Sequence, residues 1–308
     1  MTVVRAWRER GLVAPAQAEK LEEIESGRLF SVHRELRSLL YMGVAGLVAG
    51  VAATVRLKDL GETSIVGGLV VAIALAWGYC ARRSAPYSRE RMASPTAAFD
   101  YLLYLGCALL GVLFGYLESQ HHLLKQFWDY YLLASGLLFF ILAYRFDNRF
   151  VLALALVNTA AWWGLRFSHW DVPVFGWKVR AVAFGAASIA VGVQTARLGI
   201  KRHFEDSYLT AGLHPIFWAL LPGAFESGFG SLNLYLVLAL SAFVMRAAQE
   251  RRRFAFFVYG LGYGYAAALS AVVRLLALGG VAGLVLVTGG GVVAVLLAAR
   301  RRFEQDDS

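Results

Sequence analysis

Only a few ionisable side chains fall inside the apolar runs of this chain, and each is a candidate for chemistry. His214 is followed by Pro215, which has no backbone N–H and so frees a carbonyl one turn earlier in a helix. An imidazole at such a break can bind a substrate or carry a proton, because it titrates near neutrality. Asp100 and Asp129 each fall near the start of an apolar stretch. There a carboxylate serves either a proton or ion path or the amino terminus of a helix, whose dipole favours an anion. Tyr259 and Tyr263, four residues apart, put two hydroxyls on one helix face.

A second group of polar side chains falls in three interhelical gaps: Glu118, His121 and His122; His169 and Asp171; and Glu226. Imidazole with carboxylate suits zinc, but no HExxH pattern is present and three separate loops need not meet. Neither a metal site nor a cofactor is expected. The chain has no nucleophile elbow, phosphate loop or kinase motif set, and no catalytic residue is assigned.

The elements that must position these residues are membrane spans. Ten apolar runs are read at Leu39–Val55, Ser64–Ala81, Ala97–Leu117, Phe127–Tyr144, Phe150–Leu165, Val179–Leu198, Tyr208–Leu221, Ser231–Met245, Phe254–Val273 and Val281–Ala299. Each is near the roughly 20 residues needed to cross a hydrocarbon core. The seventh run is short and is interrupted at His214-Pro215. Gly46 with Gly50 and Gly111 with Gly115 have the small-xxx-small spacing that lets helix backbones approach. Gly260, Gly262, Gly264 and Gly289 to Gly291 are read the same way, with local unwinding as the alternative. Asn158, Thr159, Gln194 and Asn233 are expected to hydrogen-bond between helices.

Charge gives the orientation. Numbering the gaps alternately puts 23 of the 30 Lys and Arg residues on one side. The other side keeps Arg56, Lys58, Lys125, Arg166, Lys178, Arg180 and Arg274. Cations concentrate on the cytoplasmic side of short loops, so both termini are expected there. The same bias accounts for the net charge of +9 without nucleic acid, since cations at span ends meet anionic lipid. With 58% hydrophobic residues over 308 positions and a mean hydropathy of +0.56, the class is an all-α integral membrane bundle.

Residues 1–38 are expected to form a cytoplasmic helical hairpin, 39–299 the ten-helix bundle, and 300–308 a cytoplasmic tail. The hairpin is too short to bury much surface alone, so it packs on the bundle or meets a protein partner. The first 38 residues lack the apolar core of a cleaved signal peptide, and the first span is expected to direct insertion. Cys80 and Cys107 lie in spans with no CxxC partner, which argues against a disulfide or a metal knuckle. Short loops fit a bacterial inner membrane, whose lipids are the expected surroundings.

Two stretches carry a family resemblance. The opening Trp7-Arg8-Glu9-Arg10-Gly11-Leu12-Val13, with Pro15 and Gln17-Ala18, resembles a family of uncharacterised multi-spanning bacterial membrane proteins. Tyr144-Arg145-Phe146-Asp147-Asn148-Arg149-Phe150 is similar to that family's mid-chain region. The resemblance implies an architecture and supplies no activity, ligand or catalytic residue. Ten spans with both termini inside also resemble the drug/metabolite transporter architecture, by topology alone.

Three functions follow as expectations. The first is a permease-like protein handling a small or amphipathic, lipid-like solute, with His214 and Asp100 moving protons. The second is an accessory protein that binds a partner through residues 1–38. The third is an intramembrane enzyme acting on a lipid-borne substrate with the Glu118, His121 and His122 group.

Overall fold

The computed structural model describes residues 61–92, 94–122, 124–166, 176–275 and 281–305, together with Gln17, Gly43, Gly46 and Gly50. Among these residues every element is helical and no strand occurs. Nine α-helices follow one another: α1 (Glu62–Arg83), α2 (Ala97–His121), α3 (Leu124–Phe146), α4 (Arg149–Arg166), α5 (Trp177–Arg197), α6 (Glu205–Ser227), α7 (Leu232–Glu250), α8 (Phe254–Leu275) and α9 (Val281–Gln305). They correspond in order to the second through tenth apolar runs. The first run and the hairpin at 1–38 lie outside the described residues, apart from the isolated positions named.

Five of these helices, α1, α2, α5, α7 and α8, are long and apolar enough to cross a membrane. Exposure across the helices as a whole shows the inversion a lipid solvent requires. Val71, Leu75, Ile141, Val157, Leu232 and Phe243 are each more than half exposed, although all are large and apolar. Small polar groups turn inward instead, with Ser135, Ser188 and Ser241 buried.

Local sequence sets the helix ends. Thr96 caps α2, its hydroxyl accepting the Phe99 N–H at 3.3 Å. The link from α3 to α4 is two residues long, and each has a distinct task. Asp147 takes the left-handed conformation (φ 56°), and the next N–H, that of Asn148, donates back to Ala143 O at 3.1 Å. The Asn148 side chain then caps α4, accepting the N–H groups of Phe150 and Val151 at 3.0 and 3.1 Å. The ends of α5 and α7 close in the same way at Gly199 (φ 72°) and Arg252 (φ 54°).

Two expectations are corrected. The helix containing His214-Pro215 is not interrupted: α6 runs unbroken for 23 residues. Proline costs one backbone bond, and the flanking turns keep theirs. A Cβ added to Gly111 or Gly115 would meet no atom of the described residues within 4 Å, so these glycines do not mediate close packing among them; Gly262, Gly290 and Gly291 are equally open. The close approach is made elsewhere. A Cβ on Gly185 of α5 would collide with Gly212 O, and one on Gly212 of α6 would lie 2.5 Å from Gly185 O. Gly192 meets Tyr208 in the same crossing. Gly260 and Gly264 do pack as expected, against Ser241 of α7.

The described residues fall into two compact units, one within Val32–Ile216 and one within Phe217–Ser308. The core of the first is built on α1 to α4 with the start of α6, around Cys80, Leu103, Ala143, Val151, Leu152 and Phe204, all fully buried. In the second, Leu234, Val237 and Val244 of α7 are buried along with Phe257, Ala267 and Ala271 of α8.

Candidate functional site: a buried ion pair beneath a polar cavity

Three interhelical segments of the first unit meet at one end of it: residues 84–96, the Asp147-Asn148 link, and residues 198–204. Lys201 and Asp147 form the centre. Both side chains are fully buried, with Nζ 3.2 Å from Asp147 Oδ2. A buried ammonium needs its donors used, and here they have partners. Lys201 Nζ also donates to Glu90 O at 2.9 Å and lies over the Tyr87 ring at 5.6 Å. Its backbone N–H reaches Arg89 O at 2.7 Å, fixing Lys201 itself in a left-handed conformation (φ 45°).

Asp147 is equally occupied. Oδ2 also accepts the Met92 N–H, and Oδ1 lies 2.5 Å from His203 Nε2. Burial pushes the His203 imidazole below its ordinary value of 6.5, against the pull of Asp147 and with help from Arg149 and Lys201. The shift favours the neutral ring, and Nε2 donates its proton to the Asp147 carboxylate. Lys201 and Asp147 supply opposite charges at the centre.

Above this pair opens a cavity of about 650 Å³ lined by Arg91, Met92, Ser94, Asp100, Tyr104, Asp147, Asn148, Arg149, Phe150 and His203. A second hydrogen-bond network shapes its wall. Asp100 Oδ1 accepts from Ser94 Oγ at 2.8 Å and from Asn148 Nδ2 at 3.2 Å, and the Asn148 amide also donates to Tyr104 OH at 2.9 Å. Asn148 thus caps α4 with its oxygen and ties α2 to the link with its nitrogen. Arg91 and Arg149 are exposed and make no ion pair with the described residues.

The residues singled out from sequence are distributed unevenly around this site. Asp100 is in it. His214 is exposed midway along α6 and does not line the cavity. Asp129 falls in the opening turns of α3, with its side chain outside the described residues. Tyr259 and Tyr263 do pair, at 4.9 Å between ring centroids, and both meet Phe217, which stacks on Tyr263 at 4.3 Å.

At the far end of α2, His121 contacts Glu62 of α1. The backbone N–H of His122, whose φ is 50°, donates to Glu118 O at 3.0 Å. Glu226 is exposed near the end of α6, and His169 and Asp171 lie outside the described residues. Among the described residues no group of three or more His, Cys, Asp and Glu is placed to hold a metal.

Sequence reasoning missed Asp147, Asn148, Lys201 and His203 as a site. Asp147 and Asn148 sat within the Tyr144–Phe150 stretch that carries the family resemblance, and that stretch is where the structure concentrates its polar contacts. Residues 5–152 match the family described as "Predicted membrane protein (DUF2157)". Its function is unknown. The matched region ends four residues after Asn148 and contains Arg91, Ser94, Asp100, Tyr104, Asp147, Asn148 and Arg149, so most of the cavity wall belongs to it. Lys201 and His203 fall beyond it. No curated protein matches the chain, and no solved structure does.

Proposed function

We propose that this chain is a multi-pass protein of a bacterial inner membrane, crossing ten times with both termini cytoplasmic. It is permease-like and handles a small or amphipathic solute at the cavity above the Asp147–Lys201 pair. The observation that carries this reading is the cavity itself: a space of about 650 Å³, within the range of small-molecule sites, with two arginines outside any described ion pair. Its location supports the orientation. The segments around 84–96, 147–148 and 198–204 are three of the cation-rich gaps, and they meet at one end of the unit. That agrees with a cytoplasmic assignment for all three.

Permease-like handling requires that the solute bind reversibly at a polar end of the bundle, and the buried pair provides a fixed floor for it. Native mass spectrometry of the full chain, gently extracted from its own membrane, tests this. A small molecule or lipid retained by the wild type and lost from an Arg91→Gln/Arg149→Gln variant is the expected result. Protein with a stoichiometric protein partner and no small ligand would transfer the function to the accessory reading through residues 1–38.

A further inference from the structure

The cavity wall has a distribution of unused charge that specifies its ligand. Asp147 offers nothing to a ligand, because Lys201, His203 and the Met92 N–H occupy both of its oxygens. His203 turns its Nε2 proton inward to Asp147. What remains is the guanidinium pair of Arg91 and Arg149, and one carboxylate, Asp100. Ser94 and Asn148 both donate to Asp100 Oδ1, which leaves Oδ2 for a ligand. Two cations and one anion in the same cavity fit a group that carries both signs, with the negative part taking the two arginines.

The rim adds an apolar element. Phe150 lines the cavity, is 53% exposed, and lies in the first turn of α4. Ala153, Val157 and Ala161 follow it at three-, seven- and eleven-residue spacing, and all are exposed. They form one continuous apolar strip running from the cavity mouth along the helix. A polar group seated in the cavity therefore has an apolar track beside it.

We propose that the cavity binds a phosphate group joined to an ammonium, with Arg91 and Arg149 taking the phosphate, Asp100 the ammonium, and the Phe150–Ala161 strip an attached acyl chain. The assignment rests on reading the cavity as a binding site, and it names the ligand class of that site: a zwitterionic amino-phospholipid headgroup. The same headgroup chemistry exists free in water as phosphoethanolamine, and the strip selects the lipid form.

The test uses the full-length chain in detergent, with short-chain phosphatidylethanolamine, short-chain phosphatidylglycerol and soluble phosphoethanolamine as probes, read by native mass spectrometry. The zwitterionic lipid is expected to bind about tenfold more tightly than either of the others. Arg91→Gln/Arg149→Gln should weaken both lipids by about tenfold, whereas Asp100→Asn should weaken only the zwitterionic one and erase its advantage. Both arginines are exposed, so these variants report on binding rather than folding.

Equal or tighter binding of phosphatidylglycerol, or indifference to the arginine pair, would overturn the assignment. Soluble phosphoethanolamine binding as well as the lipid would overturn the role of the strip. Failure of all three probes while the extracted protein still retains some other arginine-dependent small molecule sinks this ligand class alone; loss of both sinks the binding-site reading with it.

Discussion

Asp147 does three jobs that rarely coincide in one side chain. It holds a left-handed backbone position usually given to glycine, terminates α3, and neutralises a buried lysine. Aspartate tolerates that conformation better than most residues. The electrostatic job is the costly one to lose. In Asp147→Ala the Lys201 ammonium would stay buried with no counter-charge, and loss of about 3–5 kcal/mol of stability is expected in detergent unfolding. Adding Lys201→Met should recover a large part of that loss, because a buried ion pair and an apolar replacement are often near equivalent. If the double variant is no more stable than the single one, the pair is not the source of the loss.

His203 adds a pH dependence of definite sign. Its folded pKa is lowered, so the unfolded chain takes up the proton first as pH falls. This contribution is complete above the unfolded value near 6.5 and is lost as pH drops toward the folded one. Thermal unfolding should therefore show stability weakening below about pH 6.5, and His203→Gln should flatten that part of the profile.

At the scale of elements, the α5–α6 crossing depends on two carbonyl oxygens approaching where side chains would stand. Gly185→Ala and Gly212→Ala each drive a Cβ into a backbone oxygen, which cannot move aside as a flexible side chain would. Both variants should lower the melting temperature and separate the helices. Gly111→Ala and Gly115→Ala meet nothing among the described residues within 4 Å, so these open helical positions should be neutral or gain roughly 0.5–1 kcal/mol from reduced backbone freedom. Spacing pointed to Gly111 and Gly115 and passed over Gly185 and Gly212, though it also marked Gly260 and Gly264, which do pack. A small-xxx-small pattern shows that a helix can approach a neighbour on one face, but not that a neighbour is there. The α6 break failed for a related reason, since a lone proline removes a single hydrogen bond from an otherwise satisfied helix.

For the whole molecule, orientation is open to a direct check. Reporter fusions after Asn148 and after Asp206 should report cytoplasm, and a fusion after Gly230 the exterior. At 23 residues α6 has the length to cross between the last two points, although it is not among the five helices both long and apolar enough. A cytoplasmic signal at Gly230 would mean that α6 does not cross and that the ten-span count is wrong.

Sequence by itself determined that the chain is helical and membrane-bound, and it located nine of its helices with ends within six residues. Those properties are local: apolar run length, cation placement and cap residues act within one element and its ends. It also marked Asp100, which belongs to the cavity, and the Tyr144–Phe150 stretch as distinctive. The tertiary structure alone decided that Asp147 meets Lys201 and His203, 54 and 56 positions further on, while Asn148 reaches back to Asp100. In sequence Lys201 is one more cation in a cation-rich gap. Only the meeting of three gaps at one end, which follows from how the helices pack, takes it out of water and makes it part of a site.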